Sequence, residues 1–207
     1  ISDIEVLDGG KNYTTIPDLV IVNPLTGLQD TSGAIIAGRL NGSSLQDVKV
    51  IVEPKGLESV THDIFALNNT NGSTVSKLDY NQAAGIVTCT LVTPVLGFST
   101  APFSVNEEIF VEGLQKETYP NDPEGTGFNS PDNGFKFFKI TKVTNNNPAT
   151  IEFNLSSVTT NAGVAKTNQN SFGNLISKND YPIFKVTQKV SRFSVGEKLL
   201  AFVGTSY

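Results

Sequence analysis

The chain has no methionine and no tryptophan, and it carries a single cysteine and a single histidine in 207 residues. Each shortage removes a class of chemistry. Cys89, being alone, cannot form a disulfide within the chain, so the fold stands without covalent staples, as cytoplasm-assembled proteins usually do. It sits in the apolar run Ile86–Val92 and reads as a buried, inert thiol. A lone His62 and a distant Cys89 do not supply a tetrahedral zinc set. His62 and Asp63 are neighbours, which face apart on a strand, and no Gly-x-Ser-x-Gly elbow accompanies them, so no hydrolytic triad is assigned. Without tryptophan, a sugar-processing cleft would lack its usual stacking surface.

Charge is sparse too, at 17% of residues, with a net charge of −5. The densest basic run, Lys136, Lys139 and Lys142, reads as a solvated strand face, and no nucleic-acid partner is expected. No apolar run approaches the roughly 18 residues of a membrane span and no signal peptide is evident, so no membrane partner is expected. The chain opens on Ile1 and lacks methionine, which suggests a fragment, a processed product or the ordered part of a longer protein. Glu107 and Glu108 are adjacent and point to opposite faces of a strand, so they cannot share acid–base work. The loop Asn121–Gly134 offers oxygen ligands of the kind calcium takes, but their order is wrong for a calcium loop and Pro123 and Pro131 interrupt it. Gly125 and Gly127 lack the later glycine and the helix of a dinucleotide site. No catalytic, cofactor-binding or metal residues are assigned, no cofactor is expected, and the chain is expected not to be an enzyme.

What fills the sequence is polar and turn-forming: 20 Asn, 21 Thr, 17 Ser, 18 Gly and 10 Pro. Such a composition suits short strands joined by many turns. The expected fold is all-β, with two small antiparallel units, sandwich- or barrel-like, carrying long loops. Residues 1–66 form the first unit, 67–77 a linker or loop, and 78–207 the second unit. Strands are expected at Ile4–Leu7, Leu19–Val22, Ala34–Leu40 and Val48–Val52 in the first unit. The second offers Gly85–Thr93, Glu108–Glu112, Phe135–Val143, Thr150–Leu155, Ile183–Val190 and Lys198–Val203. Leu19–Val22 is continuously apolar, as in a strand buried on both faces.

Loops are expected at 114–134 and about 156–181, where exposed Tyr119, Phe128, Phe172 and Tyr181 would suit a receptor- or glycan-binding surface. Two internal echoes stand out. Phe103-Ser-Val-Asn-Glu107 matches Phe193-Ser-Val-Gly-Glu197, and each reads as a core aromatic followed by a tight turn with Asn or Gly at positive φ. Phe138-Lys-Ile-Thr141 matches Phe184-Lys-Val-Thr187. Duplication and repeated hairpin geometry both account for them.

The most specific stretch is Asp8-Gly-Gly-Lys-Asn-Tyr-Thr-Thr-Ile-Pro-Asp-Leu-Val-Ile21, followed by Gly33-Ala-Ile-Ile-Ala-Gly-Arg-Leu40 and Asp47-Val-Lys-Val50. Its glycines permit a sharp turn, Tyr13 can fold back over that turn, and Pro17 fits a strand start. This order resembles a repeat of virion proteins from contractile-tailed bacteriophages, especially those infecting marine cyanobacteria. There the pattern runs V-x-V-x-x-G-G-x-G-Y-T-x-x-P-x-V-x-I. Asn12 stands where glycine is usual, and Ile35-Ile36 breaks the alternating alanines. The resemblance implies a structural tail or baseplate component, with no enzymatic residues to carry over. It implies other virion proteins as partners, in a homo- or hetero-oligomer assembled in the host cytoplasm and resident in the virion. The alternative is a receptor- or glycan-binding β module of a tail fibre or adhesin. A terminal segment is expected to pair with another chain by strand addition.

Overall fold

A computed structural model describes residues 3–30, 34–52, 62–67, 72–81, 83–92, 101–114, 127–145, 148–155 and 166–187. Among these described residues thirteen strands follow in order: β1 (Asp3–Asp8), β2 (Asp18–Asn23), β3 (Leu28–Gln29), β4 (Ile35–Asn41), β5 (Ser44–Val52), β6 (Asp63–Leu67), β7 (Ser73–Asn81), β8 (Ile86–Leu91), β9 (Glu108–Glu112), β10 (Phe138–Thr144), β11 (Thr150–Asn154), β12 (Lys166–Ser177) and β13 (Ile183–Thr187). Two single 3-10 turns, Pro131–Asn133 and Lys178–Asp180, are the helical pieces among the described residues. The fold is all-β and antiparallel, as the composition leads one to expect.

Six strands close a barrel in the order β10-β11-β8-β7-β12-β9. Sequential β9, β10 and β11 form a meander, and β12 returns to lie beside β9, which is a Greek-key connection. Closure removes the free edges that an open sheet would present. The barrel is filled by side chains at alternate positions: Val87, Cys89 and Leu91 from β8, Ile109 and Val111 from β9, Ile151 and Phe153 from β11. Phe138 and Phe153 stack with centroids 5.0 Å apart.

Three smaller sheets, β1–β13, β3–β2–β6 and β4–β5, surround a second core of Ile4, Ile21, Leu45, Val48 and Ile64. The sequence assigns Ile183–Val190 to the second unit. Instead β13 pairs along β1, from Asp3 opposite Thr187 to Asp8 opposite Ile183, and packs Phe184 and Val186 on the first unit's core. Its pattern of Phe, Lys, Val and Thr repeats that of β10 because both strands bury alternate residues, each against a different core.

The segment expected as a linker is also partly strand, since Ser73–Lys77 opens β7. The alternation there fails because of a bulge between Val75 and Lys77, so Val75 and Leu78, three positions apart, both point inward. The loop expected over 156–181 contains the 12-residue β12, whose register shifts twice against β7 and so hides its period. At Gly173 a Cβ would lie 2.7 Å from the Glu112 carbonyl, so β12 needs glycine to approach β9. Strand Lys198–Val203 and the second Phe-Ser-Val-Gly-Glu copy lie outside the described residues. So do residues 1–2 and 188–207, on which the expected terminal pairing falls.

The two cores meet at a third cluster. Val22 and Ala66 from β2 and β6 pack on Phe110, Phe135, Ile176 and Tyr181. β2 sends Ile21 to the first unit's core and Val22 to this junction cluster, which is why its apolar run has no polar face. β9 does likewise, with Ile109 and Val111 inside the barrel and Phe110 outside it, against Phe65.

Candidate functional site

The stretch that carries the resemblance forms a structural turn at this junction. Asp8 Oδ1 accepts a hydrogen bond from the Gly10 N–H at 2.9 Å, which closes the turn locally. Gly10 and Asn12 have φ of 65° and 63°. Asparagine tolerates this left-handed conformation better than most side chains, which explains how it stands in for glycine. Tyr13 is buried and its ring folds back over Gly10, as expected, so that a Cβ on Gly10 would lie 2.9 Å from the ring. Pro17 is buried and immediately precedes β2.

The turn then grips two neighbours. On one side the Leu45 N–H donates to the Gly9 carbonyl at 2.9 Å, and the Tyr13 N–H donates to the Ser43 carbonyl at 3.0 Å. These hold the tip of the β4–β5 hairpin. On the other side the Lys11 N–H donates to the Asp180 carbonyl at 3.1 Å, and Lys11 Nζ lies 3.7 Å from Asp180 Oδ1. That second grip reaches the 3-10 turn which leaves the barrel after β12.

Tyr181 follows directly. Its hydroxyl accepts from the Ala66 N–H at 2.8 Å and donates to the Ala66 carbonyl at 2.7 Å, pinning the edge of β6. Its ring lies 4.8 Å from Phe110 and edge-on to Phe137 at 5.1 Å. Tyr181 is therefore a junction residue, which corrects the expectation that it is exposed for ligand stacking.

Phe128 is corrected in the same sense. It is 1% exposed and meets Tyr80 edge-on at 5.2 Å inside the barrel. The cause is the segment Gly127–Phe135, which is folded back on β9. Ser130 Oγ accepts from the Val111 N–H at 2.9 Å, and the Ser130 N–H donates to the Val111 carbonyl at 2.7 Å. Asn129 spans both backbone groups of Leu114, at 2.8 and 2.9 Å, and donates to Asp132. These side-chain groups, which the sequence offers to a cation, are committed to backbone and to each other. Residues 121–126 of that loop lie outside the described residues, as does Tyr119. Phe172 falls within β12.

Other candidates stand apart. Glu107 and Glu108 diverge as expected: Glu107 accepts from Ser177 Oγ and from the Ser104 N–H, whereas Glu108 pairs with Lys178. Asn106, at φ 73°, makes the turn expected after buried Phe103. Lys136, Lys139 and Lys142 are all exposed, and Lys142 pairs with Glu152 at 2.8 Å. His62 is half-buried at the start of β6. Among the described residues no three His, Cys, Asp or Glu side chains converge as a metal site. No helix among them is long and apolar enough to cross a membrane.

Cys89 is fully buried, and its thiol is pushed up to about 12 by desolvation and secondarily by Asp79. Burial also holds the Tyr181 hydroxyl well above its ordinary value, with Tyr13 and Glu112 adding to the effect against the Ala66 hydrogen bond. Both groups favour the fold while neutral. The thiol's contribution is complete below its unfolded 9.0 and is lost as pH rises toward about 12. Urea midpoints are expected to hold steady up to that first value and then fall. Thiol reagents should label Cys89 only when the barrel unfolds. Rapid labelling of the native chain at neutral pH would contradict this placement.

The outer face of the β4–β5 hairpin carries an open concavity of about 330 Å³, lined by Ala37, Gly38, Arg39, Asp47, Lys49 and Ile51. Comparisons of the chain with protein-family models, with curated proteins and with solved structures give no match.

Proposed function

We propose that the chain is a structural component of a contractile-tailed phage virion, in the tail or baseplate, acting through contacts with other virion proteins and not as a catalyst. One observation carries the reading. The Gly-Gly turn that resembles the virion repeat is the piece that ties the β4–β5 hairpin to the segment leaving the barrel. A residue pattern spent on such a joint serves rigidity. The buried aromatic junction behind it, built on Phe65, Phe110, Phe137 and Tyr181, serves the same end. In this reading the protein assembles with its partners in the host cytoplasm, as a homo- or hetero-oligomer, and resides in the particle.

Peptide mass spectrometry of density-purified particles tests it. Peptides of this chain should appear in fixed ratio to capsid and tail proteins. Their confinement to the soluble fraction would overturn the reading. A second reading, a receptor- or glycan-binding module, is favoured only by the mixed polar and apolar concavity on the β4–β5 face. Glycan-array binding that is lost on Arg39→Ala would support it.

A further inference from the structure

Two Asn-Gly pairs lie among the described residues, Asn41-Gly42 and Asn133-Gly134, and the fold treats them oppositely. Asn41 ends β4 opposite Ser44, so Gly42 and Ser43 make a two-residue hairpin turn. All three of Asn41, Gly42 and Ser43 are exposed, and nothing lies within 4 Å of the place where a Gly42 Cβ would stand. Among the described residues no hydrogen bond engages the Gly42 N–H or the Asn41 carboxamide. Asn133 is held instead: its Nδ2 donates to the Gly127 carbonyl at 3.1 Å and to the Asn129 carbonyl at 2.8 Å. Gly134 packs against Gly27.

We propose that Asn41 is a spontaneous deamidation site whose product loosens the β4–β5 hairpin from the Gly9–Tyr13 turn. The Gly42 nitrogen attacks Cγ of Asn41. A new N–Cγ bond forms, the Cγ–Nδ2 bond breaks, and ammonia leaves, carrying the proton that Gly42 gave up. Water then opens the cyclic imide at either carbonyl, giving aspartate or isoaspartate. The step needs a glycine with open space around it and a carboxamide free to rotate, and position 41 supplies both. At position 133 two hydrogen bonds must first break, which slows the reaction at least about ten-fold relative to Asn41.

The consequence follows from where the turn sits. Isoaspartate routes the main chain through Cβ and lengthens a two-residue turn by one methylene group. Ser43, within that turn, accepts from the Tyr13 N–H, and Leu45 just beyond it donates to Gly9. Lengthening the turn displaces both partners, so the joint between hairpin and barrel ages with the chain.

The full chain is incubated folded, and in parallel in denaturant, in mildly alkaline buffer. Peptide mapping and isoaspartyl methyltransferase labelling follow the reaction. In the folded chain the Asn41 peptide should gain the mass of one deamidation and the isoaspartyl label, at least about ten-fold faster than the Asn133 peptide. In denaturant the two rates should converge. Equal rates in the folded chain, or a slower Asn41, would overturn the proposal. The aged fraction should also show faster hydrogen exchange at the Tyr13 and Leu45 amides. Asn41→Asp, which adds the charge without lengthening the backbone, should keep its protection, and Asn41→Gln should not age. Undiminished protection in the isoaspartyl fraction would sink the claimed effect on the joint.

Discussion

Gly9→Ala is expected to destabilise the chain by about 3 kcal/mol, a large loss for one methyl group at a turn. The added Cβ would overlap the Leu45 carbonyl oxygen and the Ser44 hydroxyl, and it would be within 2.9 Å of the Leu45 carbonyl carbon. Two of these are backbone atoms and cannot rotate aside. The hairpin must therefore retreat, and the Leu45-to-Gly9 hydrogen bond goes with it. Gly42→Ala is the control. Gly42 has φ 62° with open space around it, so alanine there carries only the left-handed penalty, about 1 kcal/mol. Urea unfolding gives both values from the midpoint shift, provided the slope is unchanged. Hydrogen exchange should lose protection at Leu45 and Tyr13 in Gly9→Ala and keep it elsewhere in the barrel. Equal losses for the two substitutions would mean that close approach at Gly9 is not what holds the hairpin.

How far such effects are legible in the sequence depends on their range. Local signals read well. β8 and β11 lie within the strands expected at Gly85–Thr93 and Thr150–Leu155, β9 has the expected bounds, and the two-sided burial of β2 follows from the unbroken apolar run Leu19–Val22. Positive φ at Asn106 is a matter of residue type and is equally legible. Bulges defeat the same reasoning, because one extra residue moves every later side chain to the other face; β7 and β12 were hidden this way. Long-range partners leave no local trace at all. Tyr181 and Ala66 are 115 positions apart, and neither residue type announces the other. Phe128 looks like a loop aromatic until Asn129 and Ser130 turn it inward, through bonds to residues 15 and 19 positions away. The junction is therefore not legible as a site in the sequence, although its residue types are.

Phe110→Ala is expected to have the largest effect, about 3–5 kcal/mol, and to act on the union of the two cores more than on either alone. The ring is fully buried on the outside of the barrel. It touches Phe65 at 6.0 Å from the first unit, and Phe137 at 5.5 Å and Tyr181 at 4.8 Å from segments beyond the barrel strands. Removing it opens a cavity between layers and leaves the interior residues Ile109 and Val111 in place. Ile109→Ala makes the complementary test, since its side chain faces the barrel core, and an aliphatic truncation there costs about 2–5 kcal/mol. The two losses overlap in size and differ in kind. In Phe110→Ala the first unit should open before the barrel, so that exchange at Val48 and Ile64 precedes labelling of Cys89 and the single transition splits. In Ile109→Ala the Cys89 thiol should become accessible first, because the barrel itself is weakened around it. If Phe110→Ala instead loses less than about 1 kcal/mol with coincident transitions, the units are held together by the Gly9–Tyr13 turn and the Tyr181 hydrogen bonds, and the aromatic contacts only fill space.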